Sequence, residues 1–236
     1  MRIRTSAKAR CCNKMKFQRM FIFTLTVALA FAACQPQHPN DDQPHEEQKS
    51  KKKWSVAPNA DDGFSRAYFA SGCFWCVEAI FESVRGVEEV ISGYAGGSEE
   101  NPTYDAVSAG RTGHTESVVV IYDAQAVSYA TLLEVYYGSH DASTVNGQHP
   151  DFGRQYRSAI FYTTDEERSM AELAKAKAQG EYRDPVATEI VPYSRFWEAE
   201  AYHQDYERLN PGNPYVQKVS IPRLERFKSR FPDLLK

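Results

Sequence analysis

The sequence predicts an α+β domain, and three observations lead there. Apolar residues cluster in short β-branched runs, of which ESVVVIYD (116–123) is the clearest. Between such runs lie stretches whose apolar residues recur at helical spacing. The segments follow one another as strand, helix, strand, strand, helix, strand, the order of a split βαβ, ferredoxin-like two-layer sandwich, with further elements on the C-terminal side.

Taken in order, Arg66 to Ser71 alternates as a strand, and Gly72 opens a helix. Val77, Ile80, Phe81 and Val84 share one face of that helix, and Gly86 ends it. VEEVISGY (87–94) is the second strand, followed by a loop marked by Gly96-Gly97 and Asn101-Pro102. The run at 116–123 is the central strand. SYATLLEVYY (128–137) reads as a helix and SAIFYT (158–163) as a strand. DEERSMAELAKAKAQGEY (165–182) is an alanine-rich helix that starts with acids, as the helix dipole favours. ATEIVPYS (187–194) reads as a strand, and FWEAEAYHQDYERLN (196–210) as a helix stopped by Pro211-Gly212.

A chain of 236 residues, 42% hydrophobic and 13% aromatic, can bury one good core, and residues 54–236 read as a single domain. Seven of the 28 Lys/Arg and none of the 31 Asp/Glu lie in residues 1–33, so the remainder is acidic by ten charges. Such a body repels phosphate backbones, which excludes nucleic acid as a partner. The basic segment 1–20 precedes thirteen apolar residues, FIFTLTVALAFAA, too short to span a bilayer and suited to a signal peptide over 1–33. Start sites at Met1 and Met15 both fit. Cys34 follows directly, as in the lipidation signal of bacterial lipoproteins; plain cleavage after Ala30 is the competing reading. Residues 34–53 offer no aromatic or aliphatic side chain to bury and read as a tether. The expectation is an exported protein on the periplasmic or cell-surface side, lipid-anchored through Cys34. Gln35, in place of Asp, points to the outer membrane.

Cys73 and Cys76 enclose Phe74 and Trp75, and the 160 residues after Cys76 contain no cysteine. Cys73 is expected at a helix N-terminus, where unpaired N–H groups would favour a thiolate. Cys76 lies one turn on, with Cα atoms about 5–5.5 Å apart, within disulfide reach. A buried structural pair, a zinc site and a redox pair compete. Zinc needs about four ligands; no second C-x-x-C exists, and His140, His149 and His203 lie in unrelated segments. For a redox pair, thioredoxin-like chemistry is one reading. Phe74 and Trp75 however build an aromatic wall beside the sulfur, suited to a small apolar substrate group.

Six motifs taken together, GCFW (72–75), SGYAGG (92–97), NPTY (101–104), TGHTE (112–116), HD (140–141) and DFGRQYRS (151–158), resemble the peptide methionine sulfoxide reductases of the A type, which act on the S epimer. The likeness runs from about Tyr68 to Tyr206. It implies that Cys73 attacks the sulfoxide sulfur, that Glu116 is the acid, and that Tyr94 and Tyr156 are hydroxyl donors around the oxygen. Phe74 and Trp75 would hold the methyl group, and Asp151 would contact the substrate backbone. The resulting sulfenic acid condenses with a nearby thiol. Many relatives carry resolving cysteines in a C-terminal tail; here 211–236 has none, so Cys76 is the candidate. The resemblance further implies oxidised peptides and proteins as substrates, a thioredoxin-like reductant, a monomer, and no cofactor or metal. A general thiol–disulfide oxidoreductase is the alternative.

Overall fold

Strand β1 (Ser65–Ser71) is buried in all but its first residue, and Gly72, at φ +88, turns the chain straight into helix α1 (Phe74–Glu82). A side chain there would be strained by that φ and would sit 2.8 Å from Gln148 Cβ, so the turn requires glycine. The structure, a computed structural model, describes residues 53–236. The expected signal segment, Cys34 and the tether up to residue 52 lie outside the described residues. Among the described residues no helix is long and apolar enough to cross a membrane.

After α1 come β2 (Val87–Ala95), the short helix α2 (Tyr104–Ser108) and β3 (Thr115–Tyr122), which is buried along its whole length. Helix α3 (Tyr129–Gly138) begins at Ser128, whose hydroxyl accepts the Thr131 N–H. A two-residue hairpin, β4 (Gly147–Gln148) and β5 (Asp151–Phe152), leads through a single 3-10 turn, Arg154–Tyr156, into β6 (Ser158–Tyr162). Helix α4 (Asp165–Gln179), capped by Thr164, precedes β7 (Glu189–Pro192) and β8 (Phe196–Glu198). The chain closes with α5 (Tyr206–Leu209) and α6 (Ile221–Arg230).

The fold is a mixed α/β arrangement around one six-stranded sheet, ordered β7-β6-β1-β3-β2-β8. All neighbours are antiparallel except β6 and β7. Alternation along β1 and β3 divides the core. Phe69, Val118 and Val120 join Phe74, Ile80, Phe81, Leu132 and Tyr136 in one cluster. Tyr68, Ala70, Val119 and Ile121 join Ile91, Phe161 and Phe196 in the other. Each Val, Ile, Leu or Phe side chain among these, fully buried, stabilises by about 1.5–3 kcal/mol.

One expected element is wrong. Residues 196–210 do not form a helix: Phe196–Glu198 is the edge strand β8, Ala201–His203 a 3-10 turn, and only Tyr206–Leu209 is helical. The cause lies on β2. Gly93 pairs with Glu198, and a Cβ on Gly93 would lie 2.2 Å from the Trp197 carbonyl oxygen. The missing side chain lets the 196–198 backbone come onto the sheet edge, and the ladder bonds override the helix preference of Ala and Glu. Gln204 then fixes the turn by accepting the Ser92 N–H at 2.9 Å and donating to the Ser92 carbonyl at 3.0 Å. Gly93→Ala is accordingly expected to destabilise the fold by ~3 kcal/mol through overpacking, read as a lowered denaturant midpoint. Unchanged stability would mean that β8 is not held by this close approach.

Candidate active site

Cys73 is the residue that starts α1 and Cys76 lies in its first turn; both are free thiols and both are buried. The N–H of Phe74, at this helix start, donates to Glu116 Oε2 at 3.0 Å. The expectation of a helix terminus lowering the Cys73 pKa is therefore corrected. Burial pushes the Cys73 thiol up, and Cys76 beside it adds to the rise. Cys76 moves the other way, down to about 7, chiefly because Cys73 hydrogen-bonds to it, with the Arg223 guanidinium adding to the effect. The two thiols titrate as a coupled pair, so the first proton is lost from the pair rather than from either sulfur alone.

Glu116 stands on β3 directly opposite Tyr94 on β2 and is 2% exposed. Burial pushes its carboxyl up to about 8, so at neutral pH it is an acid with a proton to give. Since Oε2 accepts the Phe74 N–H, the proton belongs on Oε1. Tyr94 is fully buried, and its hydroxyl donates to Glu200 Oε2 at 2.7 Å. Glu200 also accepts the Tyr104 N–H at 2.9 Å. Burial works against the Glu200 charge, but these two donors hold its carboxyl below the usual range. Tyr156, half-buried on the turn before β6, has its hydroxyl pKa raised by burial and then by Glu116, Tyr104, Asp151 and Cys73 around it. Its hydroxyl makes no hydrogen bond among the described residues, which leaves it available to a ligand.

Phe74 is buried against the rings of His203 at 5.1 Å, Tyr94 at 6.0 Å and Tyr104 at 6.3 Å. Trp75 stacks flat on Tyr206 at 3.8 Å, and its indole N–H donates to His203 Nδ1 at 3.2 Å. Asp151, on β5, accepts the Tyr215 hydroxyl. That hydroxyl lies 4.0 Å from Cys76 Sγ. The structure thus brings Cys73, Cys76, Glu116, Tyr94, Tyr156, Phe74, Trp75 and Asp151 to one place. It adds Glu200, His203 and Tyr215, which the sequence did not single out as site residues. Nothing in periodicity or spacing marks these three, and their partners lie more than sixty residues away in the chain. The one candidate metal cluster among the described residues, Glu78, Glu82 and Asp205, contains neither cysteine. Its Glu78 carboxylate accepts the Ser92 hydroxyl and the Asp205 N–H.

A thiol pair next to a buried acid and unpaired phenol is one arrangement for removing an oxygen atom. Residues 65–234 match the family described as peptide methionine sulfoxide reductase. This chain belongs to that family. Peptide methionine sulfoxide reductase MsrA 1 of Rhodopirellula baltica is 45% identical over 170 residues, covering 72% of this chain and 88% of that protein. The corresponding reductases of Pasteurella multocida and Thermus thermophilus are 42% and 44% identical, each over 72% of this chain and 98% and 97% of their own lengths. Among solved structures, Mxr1 of Saccharomyces cerevisiae in reduced form superposes with TM-score 0.61 at 30% identity, covering 65% of this chain and 90% of that one. Methionine sulfoxide reductase A of Corynebacterium diphtheriae gives 0.58 at 34% identity, over 64% and 77%. The protein is therefore a methionine sulfoxide reductase of the A type, an oxidoreductase.

Proposed function

We propose that the protein reduces methionine S-sulfoxide in exported peptides and proteins, and free methionine sulfoxide, through Cys73. The observation that carries this reading is the buried Glu116 carboxyl next to the start of α1, protonated up to about pH 8 and bound to the N–H that follows Cys73. Cys73 sulfur attacks the sulfoxide sulfur once the coupled Cys73–Cys76 pair has given up its first proton. Glu116 protonates the oxygen, and the free Tyr156 hydroxyl and the Glu200-bound Tyr94 steady the developing charge. The oxygen transfers to Cys73 as a sulfenic acid and methionine leaves. Attack by Cys76 on that sulfenic sulfur expels water and closes a Cys73–Cys76 disulfide. Phe74 and Trp75 would enclose the methyl group, with Asp151 and its Tyr215 partner meeting the substrate backbone.

A thioredoxin-like dithiol then returns both cysteines to thiols. The sheet order β6-β1-β3-β2, with a helix after β1 and another after β3, supports a split βαβ core. The leader and Cys34 support export with a lipid anchor at the outer membrane, the enzyme acting there as a monomer on oxidised proteins. The deciding assay is incubation with the separated sulfoxide epimers and dithiothreitol, followed by chromatography of methionine. Turnover of the S epimer with none of the R is expected. No methionine from either, alongside rapid reduction of insulin disulfides, would instead make it a general thiol–disulfide oxidoreductase.

A further inference from the structure

Glu78 is a carboxyl that the proposed chemistry does not use. It lies on α1 one helical turn beyond Trp75 and is 2% exposed. Its Oε1 accepts the Asp205 N–H at 2.7 Å, and its Oε2 meets the Ser92 hydroxyl at 2.7 Å. One side chain therefore joins three segments that carry the site: α1 with Phe74 and Trp75, β2 two residues before Tyr94, and residues 203–206 with His203 and Tyr206. Burial pushes the Glu78 carboxyl up to about 8, against its two hydrogen bonds. An ionisable group is costly to keep in so dry a place.

Asp205 shows what the contact does. Its backbone is left-handed, at φ +57, a conformation uncommon for any residue but glycine. Its carboxylate pairs with Arg208 at 2.9 Å, while its N–H turns inward to Glu78. The next residue, Tyr206, lies flat on Trp75, with ring centroids 3.8 Å and planes 9° apart. Two residues earlier, His203 Nδ1 receives the Trp75 indole N–H. Gln204 ties this stretch to β2 through Ser92. Glu78 ties it to α1.

We propose that Glu78 is a positioning residue for the substrate's methyl group, acting through the Tyr206 ring and the Trp75 indole that it holds together. The inference rests on the methyl site of the proposed function. An indole clamped on one face by Tyr206 and at its N–H by His203 presents a fixed wall, and a fixed wall distinguishes a methyl group from an ethyl. Without the Glu78 acceptor the buried Asp205 N–H loses its partner, residues 203–206 shift to find another, and the wall loosens.

The test compares two substitutions. Glu78→Met fills similar space and removes both acceptors, whereas Glu78→Gln keeps an oxygen for the Asp205 N–H and an amide for the Ser92 oxygen. The first readout needs no turnover: the proton–nitrogen correlation signal of the Trp75 indole, identified by its absence in Trp75→Phe. Glu78→Met is expected to move it from its hydrogen-bonded position, leaving the Trp54 and Trp197 signals in place, and Glu78→Gln to restore it. The second readout is single-turnover reduction of methionine and ethionine S-sulfoxides, of which wild type should favour the first. Glu78→Met should raise the half-saturating methionine sulfoxide concentration ~tenfold and narrow the methyl preference ~tenfold, with the saturated rate changed less than about twofold. Glu78→Gln should stay within about twofold of wild type. Should Glu78→Met not fold, Ser92→Ala, which frees one oxygen only, is expected to give the same changes at about threefold. An unmoved indole signal, an unchanged methyl preference, or Glu78→Gln as impaired as Glu78→Met would overturn the assignment. No reduction of either sulfoxide by wild type defeats the proposed function, and the indole signal then decides the clamp by itself.

Discussion

Cys76→Ser protein is expected to reduce about one equivalent of methionine sulfoxide and then stop. Nothing else among the described residues can resolve the Cys73 sulfenic acid, because Cys73 and Cys76 are the only cysteines there. The first turnover should also be slow at neutral pH. In the native pair Cys76 accepts the Cys73 hydrogen bond and shares the first negative charge, with its pKa brought down to about 7. A serine hydroxyl cannot take that charge, so Cys73 keeps its proton, which burial already favours. The pH midpoint of the single-turnover rate should accordingly move upward from about 7. Stopped-flow reduction followed by dimedone labelling and mass spectrometry checks both parts. Undiminished multiple turnover would show that another nucleophile resolves the intermediate.

Glu116→Gln is the second large effect. The amide keeps the shape but has no acidic proton, so the chemical step should slow ~10²–10⁴-fold while substrate affinity changes little. The wild-type pH profile gives an independent reading. Glu116 has its pKa raised by burial to about 8, so its active, protonated form is complete at low pH and is lost as pH rises through about 8. The cysteine pair must lose its first proton, which sets a rising limb near 7. The rate should therefore be bell-shaped and narrow, and Glu116→Gln should abolish the falling limb. A falling limb that survives the substitution assigns the acid to another group.

Much of this was legible in the chain itself. The β-branched run at 116–123 and the helical spacing of Val77, Ile80 and Phe81 report burial on one or both faces, and burial is what a sequence pattern encodes. The segment 196–210 was misread because its Ala and Glu favour a helix locally, whereas Gly93, over a hundred residues earlier, offers a bare backbone to pair with. The same long reach hides Glu200, whose oxygen takes the Tyr94 hydroxyl, and His203, which takes the Trp75 indole N–H. Tyr215 looks like any tyrosine before a helix until Asp151 and Cys76 are brought beside it. The ionisation of the thiols was misjudged for a related reason. Position at a helix start is visible in sequence, but a carboxyl arriving from β3 to accept the Phe74 N–H, and full burial of both sulfurs, are not.

Placing both sulfurs in one turn of α1 has a consequence for the resting energy of the enzyme. On a chain-entropy estimate, a cross-link spanning four residues restrains the unfolded polypeptide by only about 2 kcal/mol, against about 5 kcal/mol for a hundred-residue loop. Closing and reopening this bond should thus shift the unfolding temperature by only a few degrees.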